Sequence, residues 1–142
     1  MGFQLDIVTP EKQLFSGEVD SVLLPGAEGE LGILPRHAPL LTALTIGELV
    51  ARRGEEELLF AIHGGFAQVL PDRVIVLADM GERAEEVDAA RAEQARREAE
   101  ELLKKEPPPE ARAEALMALR KAQLRLKVAR RQRPHRPPEE HS

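Results

Sequence analysis

The sequence predicts an α+β fold: an antiparallel β-sandwich over residues 1–84, an antiparallel two-helix hairpin over residues 85–133, and a disordered tail over residues 134–142. Three observations lead there. In the first half, short apolar runs are separated by turn signals about every 8 to 12 residues, the pattern of a sandwich or barrel. Pro25, Gly26, Gly29, Gly32, Pro35 and Pro39 crowd a stretch in which no long helix survives, because Gly permits positive φ and Pro fixes φ near −65°. From Asp88 onward Ala, Glu, Arg, Gln and Leu dominate, and all are strong helix formers.

Phe3, Leu5 and Ile7 alternate with Gln4, Asp6 and Val8, the period-two signature of a strand with one buried face. Thr9-Pro10-Glu11-Lys12 breaks it. The second strand runs from Val19 to Leu24 and ends at Pro25-Gly26. Leu31–Leu34, Leu40–Leu44, Gly47–Arg52, Glu57–His63, Phe66–Leu70 and Arg73–Leu77 continue the series, with hairpin turns at Arg53-Gly54 and Pro71-Asp72. Composition changes at Met80-Gly81. The first helix spans Asp88 to Lys105, with Glu85, Glu86 and Asp88 at its first turn and Lys104 and Lys105 at its last, complementing the helix dipole. Pro107-Pro108-Pro109 stops it. The second helix spans Ala111 to Arg131 and ends before Pro134. Ala92, Ala95, Ala99, Leu102 and Leu103 of the first face Ala111, Ala115, Ala118, Ala122, Leu126 and Ala129 of the second. An alanine contributes far less apolar area than a leucine, so this hairpin is expected to hold weakly and to open or leave its neighbour.

Composition narrows the function. Hydrophobic residues make up 42% and charged residues 32%, above the usual quarter, which implies much solvent-facing helix. Cys is absent, so disulfides and thiolate metal sites are excluded. The four Phe residues all lie in the first half, and Trp and Tyr are missing, which argues against a stacking platform for nucleic acid. The net charge of −5 is unevenly spread: residues 110–136 hold nine bases against Glu110 and Glu114. A basic final helix seeks an acidic surface. No apolar run reaches the roughly 20 residues of a membrane span, and no signal peptide is evident. The expectation is a protein that is cytoplasmic, or held to a membrane complex from the cytoplasmic side.

No serine sits in a nucleophile elbow, and His37 and His63 lack metal-ligand spacing to any partner; both read as structural or interface residues. Gly26, Gly29 and Gly32 are followed by no Gly-Lys-Ser/Thr, so they read as turns rather than a phosphate loop. No catalytic residue and no metal site is expected. Folding the hairpin about Pro107-Pro108 gathers Arg91, Lys121 and Arg125 at one level, with Asp88 close by. Facing cations repel unless carboxylates or a polyphosphate sit between them; Asp88, Glu86 and Glu82 are the carboxylates at hand.

Three segments carry a family resemblance: Leu5-Asp6-Ile7-Val8-Thr9-Pro10, the run from Pro25 to Leu40, and Gly64-Gly65-Phe66. In their order and spacing, across residues 2 to 132, the chain resembles the epsilon subunit of bacterial F-type ATP synthase, called delta in mitochondria. The resemblance implies a non-catalytic subunit of the central stalk. Its sandwich would sit between the gamma subunit and the polar loops of the c-ring, coupling proton flow through rotation to ATP synthesis. Gly29, Glu30, Leu31, Arg36 and His37 are the candidate rotor contacts. It implies membership of a complex on the cytoplasmic face of the bacterial membrane, reached through that complex alone. It further implies a hairpin that either folds beside the sandwich or extends along gamma. Extended, the hairpin would lay Arg120, Lys121, Arg125, Lys127, Arg130 and Arg131 against an acidic segment of a catalytic beta subunit and inhibit hydrolysis.

Some bacterial members bind ATP in the folded state through an Ile/Leu-Asp-x-x-Arg-Ala motif. Here it reads Val87-Asp88-Ala89-Ala90-Arg91-Ala92. Glu82, Asp88, Arg91, Lys121 and Arg125 are the matching candidates, with ATP a regulatory ligand rather than a required cofactor. Val87, Lys121 and Glu98 depart from the pattern, Glu98 standing where an arginine is expected beside Arg96 and Arg97. A lysine cannot reproduce a two-pronged arginine contact. The rival expectation is a stand-alone module whose basic helix contacts nucleic acid, which would show steep salt dependence.

Overall fold

A computed structural model describes residues 2–132. Arg133, the expected tail over residues 134–142 and, among the bases counted above, Arg136 lie outside the described residues. Eight strands precede two helices: β1 (Phe3–Val8), β2 (Gln13–Val19), β3 (Ser21–Gly26), β4 (Gly29–Ile33), β5 (Leu40–Arg53), β6 (Glu56–Leu70), β7 (Arg73–Ala78), β8 (Gly81–Arg83), α1 (Ala89–Lys104) and α2 (Pro109–Gln132). The strands follow one hydrogen-bonded path, β2-β1-β7-β6-β5-β3-β4, with β8 on β6. Every pairing is antiparallel except β1 with β7.

The path curls into two layers because β5 and β6 are long and bend together. Their register is constant from Leu40↔Val69 to Arg53↔Glu56, and the ladder lacks only the pair between Leu44↔Gly65 and Ile46↔His63, beside Gly64 and Gly65 at φ 88° and 126°. A Cβ on Gly65 would stand 2.2 Å from the Leu77 carbonyl oxygen, so this bend admits only glycine. Phe3, Leu5, Ile7, Val19, Leu24, Leu49, Phe60, Ile62, Val69, Val74 and Val76 fill the space between the layers.

Leu59, Phe60, Ala61, Ile62 and His63 are buried in succession on β6. A strand buried at consecutive positions has both faces covered. Phe60 and Ile62 face the sandwich core. Leu59 and Ala61 join Val50, Ala84, Leu124 and Val128 in a second cluster, beneath α2. The hairpin is therefore folded against the sandwich. On α2, Ala115, Ala122 and Ala129 recur every seventh residue and are buried, while Leu124 and Val128 lie roughly on the opposite side of the helix. One side of α2 meets α1; the other meets the sheet.

Several expected boundaries change. Leu40–Leu44 with Gly47–Arg52, and Glu57–His63 with Phe66–Leu70, are each one continuous strand, bent rather than broken. Gln13–Val19 and Gly81–Arg83 are additional strands. Glu85 and Glu86 do not start the first helix. They lie in a 3-10 turn over Ala84–Glu86, and Val87 is extended. Asp88 then caps α1, its Oδ1 accepting from the Arg91 amide at 3.1 Å, which satisfies one of the free donors of the first turn. In the seam, Ala118 and Leu102 are exposed rather than packed.

Candidate functional site

The residues with functional chemistry fall on three surfaces. The first is a cleft of about 410 Å3 between the sandwich and the hairpin, lined by Glu11, His63, Met80, Gly81, Glu82, Ala95, Ala118, Lys121, Ala122 and Arg125. β8 presents Glu82 and α2 presents Lys121 and Arg125 one turn apart. Arg125 Nε donates to Glu82 Oε1 at 2.5 Å, both side chains about three-quarters buried. The repulsion expected between facing cations is thus relieved on one side by a carboxylate. Lys121 makes no ion pair among the described residues. His63, at the bend of β6, is 9% exposed, and its Nδ1 is buried without a hydrogen-bond partner. Burial, then the Lys121 and Arg125 charges, lower its pKa from 6.5 to about 4, since each disfavours a further positive charge. Asp88 and Arg91 are not in the cleft lining: Asp88 is spent on the helix cap, and Arg91 is exposed on α1. The neighbouring acid Glu86 pairs with Lys12 at 3.6 Å. Of the five residues expected to gather, the structure brings Glu82, Lys121 and Arg125 into one lining, and adds His63.

The second surface is the end of α2. Arg131 donates from Nη1 to Glu48 and from Nη2 to Glu57 Oε1, the latter at 3.1 Å. Arg120, Lys127 and Arg130 are exposed. Lys127 and Arg130 line a groove with Glu93 and Arg96 of α1. There Arg96 bridges Glu93 and Glu100 within its own helix, lowering the Glu93 pKa and raising its own. Such i,i+3 and i,i+4 pairs support α1 itself. Arg125 and Arg131, two of the six bases expected to be inhibitory, are thus bound by sandwich carboxylates.

The third surface is the sandwich exterior. Gly29, Glu30 and Arg36 are exposed, Arg36 at φ 65°. Leu31 is half-buried and packs on the core. His37 Nδ1 lies 2.5 Å from the Leu34 carbonyl oxygen, and its ring meets Phe3 edge-on at 5.0 Å, so the residue shapes its loop. Beyond these residues, the registers Leu41↔Gln68, Ala43↔Phe66 and Phe66↔Leu77 align an outward apolar stripe. Leu41, Phe66 and Leu77 are 69%, 55% and 55% exposed, large apolar side chains that the sheet holds open to solvent. The sequence signal for it was Phe66 directly after the paired glycines. Glu48 and Glu57 carried no signal, because acids on a hairpin read as ordinary solvated residues. Among the described residues no cluster of His, Asp or Glu could hold a metal, and no helix is long and apolar enough to cross a membrane.

Residues 2–84 match the family of the ATP synthase delta/epsilon chain β-sandwich domain, and residues 85–130 match that of its long α-helix domain. The chain is 54% identical over 133 residues to an ATP synthase epsilon chain of Dehalococcoides mccartyi, covering 93% of this chain and 95% of that one. It is 50% identical over 133 residues to an ATP synthase epsilon chain of Herpetosiphon aurantiacus, covering 94% and 98%. Its fold resembles a chain in the cryo-EM structure of the Euglena gracilis mitochondrial ATP synthase, with a TM-score of 0.77, 24% identity, and coverage of 90% of this chain and 81% of that one. A sandwich followed by a folded hairpin, matched by both family models and by full-length relatives at this identity, establishes that the chain belongs to the ATP synthase delta/epsilon chain family.

Proposed function

We propose that the chain is a non-catalytic rotor subunit of an F-type ATP synthase whose hairpin restrains ATP hydrolysis. The sandwich stands between the gamma subunit and the c-ring loops, on the cytoplasmic face of the bacterial membrane, and joins proton-driven rotation to ATP synthesis in the head. The exposed stripe of Leu41, Phe66 and Leu77 supports a protein contact on the sandwich, and the exposed start of β4 at Gly29 and Glu30, with Arg36 in the turn that follows the strand, supports a second, polar one.

One observation carries the regulatory half. The hairpin is docked by a small apolar patch, with Leu124 and Val128 as its large helix-borne side chains, while arginines of the same helix rest on sandwich carboxylates. Burying a Leu or Val stabilises by about 1.5–3 kcal/mol before ordering costs, so a few kcal/mol separate the docked and released arms. Released, α2 offers its bases to an acidic segment of a catalytic beta subunit. The complex assembled with residues 1–85 tests this: hydrolysis at low ATP rises severalfold over the full chain, with proton pumping retained. Unchanged hydrolysis overturns the inhibitory role.

The cleft holding Glu82, Lys121 and Arg125 supports a second role, ATP as a regulatory ligand of the folded arms. Lys121 has no carboxylate partner among the described residues and is available to a phosphate. Titration calorimetry checks it: heat with millimolar ATP, abolished in Arg125→Ala, is the expected result. Nucleic-acid binding is disfavoured, because Arg125 and Arg131 are held in ion pairs rather than spread along an open basic face.

A further inference from the structure

Arg131 lies in the last turn of α2, and two strands share its guanidinium. Glu48 comes from β5 and Glu57 from β6. The other Glu57 oxygen accepts from Arg52 Nη2 at 2.8 Å, which fixes that carboxylate in place. The Glu48 side chain is only 11% exposed, and its Oε2 is buried with no hydrogen-bond partner. All four side chains line a groove of about 560 Å3 that also holds Lys127 and Glu30. Two carboxylates converging on one helix-borne guanidinium are what an acidic protein segment would offer the same helix.

We propose that Glu48 and Glu57 form an internal acidic site that occupies Arg131 in the folded posture and competes for it with an acidic protein segment. The inference rests on the reading that the α2 bases are the inhibitory surface, and it names what holds them back. While its Nη1 and Nη2 groups rest on Glu48 and Glu57, Arg131 keeps the end of α2 against the sheet, so the internal site and an acidic segment that binds the released helix exclude each other. The internal site is also suited to letting go. Docking strips water from Glu48 and leaves one of its oxygens without a partner, a desolvation cost that offsets much of the attraction. When the arm leaves, Glu48 regains its water and Arg131 regains its freedom. The exchange is close to balanced, and modest changes in either acidic site move it.

The test uses the full chain and the variant Glu48→Gln/Glu57→Gln, which keeps shape and removes both charges. Because the chain has no Cys, cysteines introduced at the exposed positions Gln68 and Met117 carry spin labels that report the posture. The variant is expected to lower the folded-to-released ratio about fivefold, the scale of a partly exposed ion-pair network. It should bind a short oligoglutamate peptide at low salt more tightly by a similar factor, and deepen inhibition in the assembled complex. Arg131→Gln should also loosen the posture but weaken peptide binding, which a merely structural contact would not do. An unchanged ratio and unchanged peptide binding in Glu48→Gln/Glu57→Gln, with its thermal transition intact, overturn the proposal. A changed ratio and changed peptide binding with no change in hydrolysis uphold the internal site and overturn the inhibitory reading.

Discussion

His63 couples charge to posture at a single residue. Lys121 and Arg125 of α2 and Glu82 of β8 line its cleft, as does Glu11 from the β1–β2 turn. In the folded structure its pKa falls from 6.5 to about 4, chiefly through burial; in the proposed released posture, with the cleft opened, it is expected to return toward its ordinary value. A group whose folded value is lowered this way stabilises the folded posture fully above its ordinary pKa, and that stabilisation is lost as pH falls toward the folded value. Between pH 7.5 and 5.5 the folded-to-released ratio should therefore drop about tenfold, the consequence of working one unit below the free value. Spin-label distances across that range check this, and His63→Gln should flatten the response. The sequence placed His63 at a strand end before Gly64-Gly65 and identified it as structural or interface. What it could not give was the helix above. Neither Lys121 nor Arg125 is near His63 along the chain, so their effect on it exists only once the hairpin folds back.

At the scale of elements, legibility followed periodicity. β1 alternates without fault and was readable. β2 was not, because Leu14 and Phe15 are buried side by side, where the register with β1 shifts between Ile7 and Val8; a bulge destroys the alternation that marks a strand. Thr45-Ile46 and Gly64-Gly65 were expected to separate strands and instead lie in strands that bend. On α2 the alanine seam was visible in the seven-residue recurrence. Leu124 and Val128, on the opposite side, fall outside that recurrence, although the unbroken apolar run Leu58 to Ile62 on β6 is a sequence signal for a second cover. These two side chains dock the arms. Leu124→Ala/Val128→Ala should remove several kcal/mol of docking, at about 2–5 kcal/mol for a buried Leu→Ala alone. The sandwich transition should stay put, because its core is separate. Calorimetry that finds the sandwich itself destabilised by that amount would contradict the separation.

The whole molecule joins two kinds of cohesion. The sandwich has a core of large aliphatic and aromatic side chains closed on itself. The hairpin has an alanine seam, one small apolar contact with the sheet, and ion pairs between its bases and sandwich acids. The three family segments made the lineage legible through the order and spacing of their glycines and prolines. The state of the arms was not legible, because it depends on a balance of a few kcal/mol between weak contacts, and no local pattern encodes such a balance. Native-state amide hydrogen exchange on the isolated full chain measures whether the arms come loose while the base stays folded. Two tiers are expected: α1 and α2 amides exchanging through a low-energy opening, orders of magnitude faster than those of β5 and β6. One common rate for helices and strands, set by global unfolding, would contradict it.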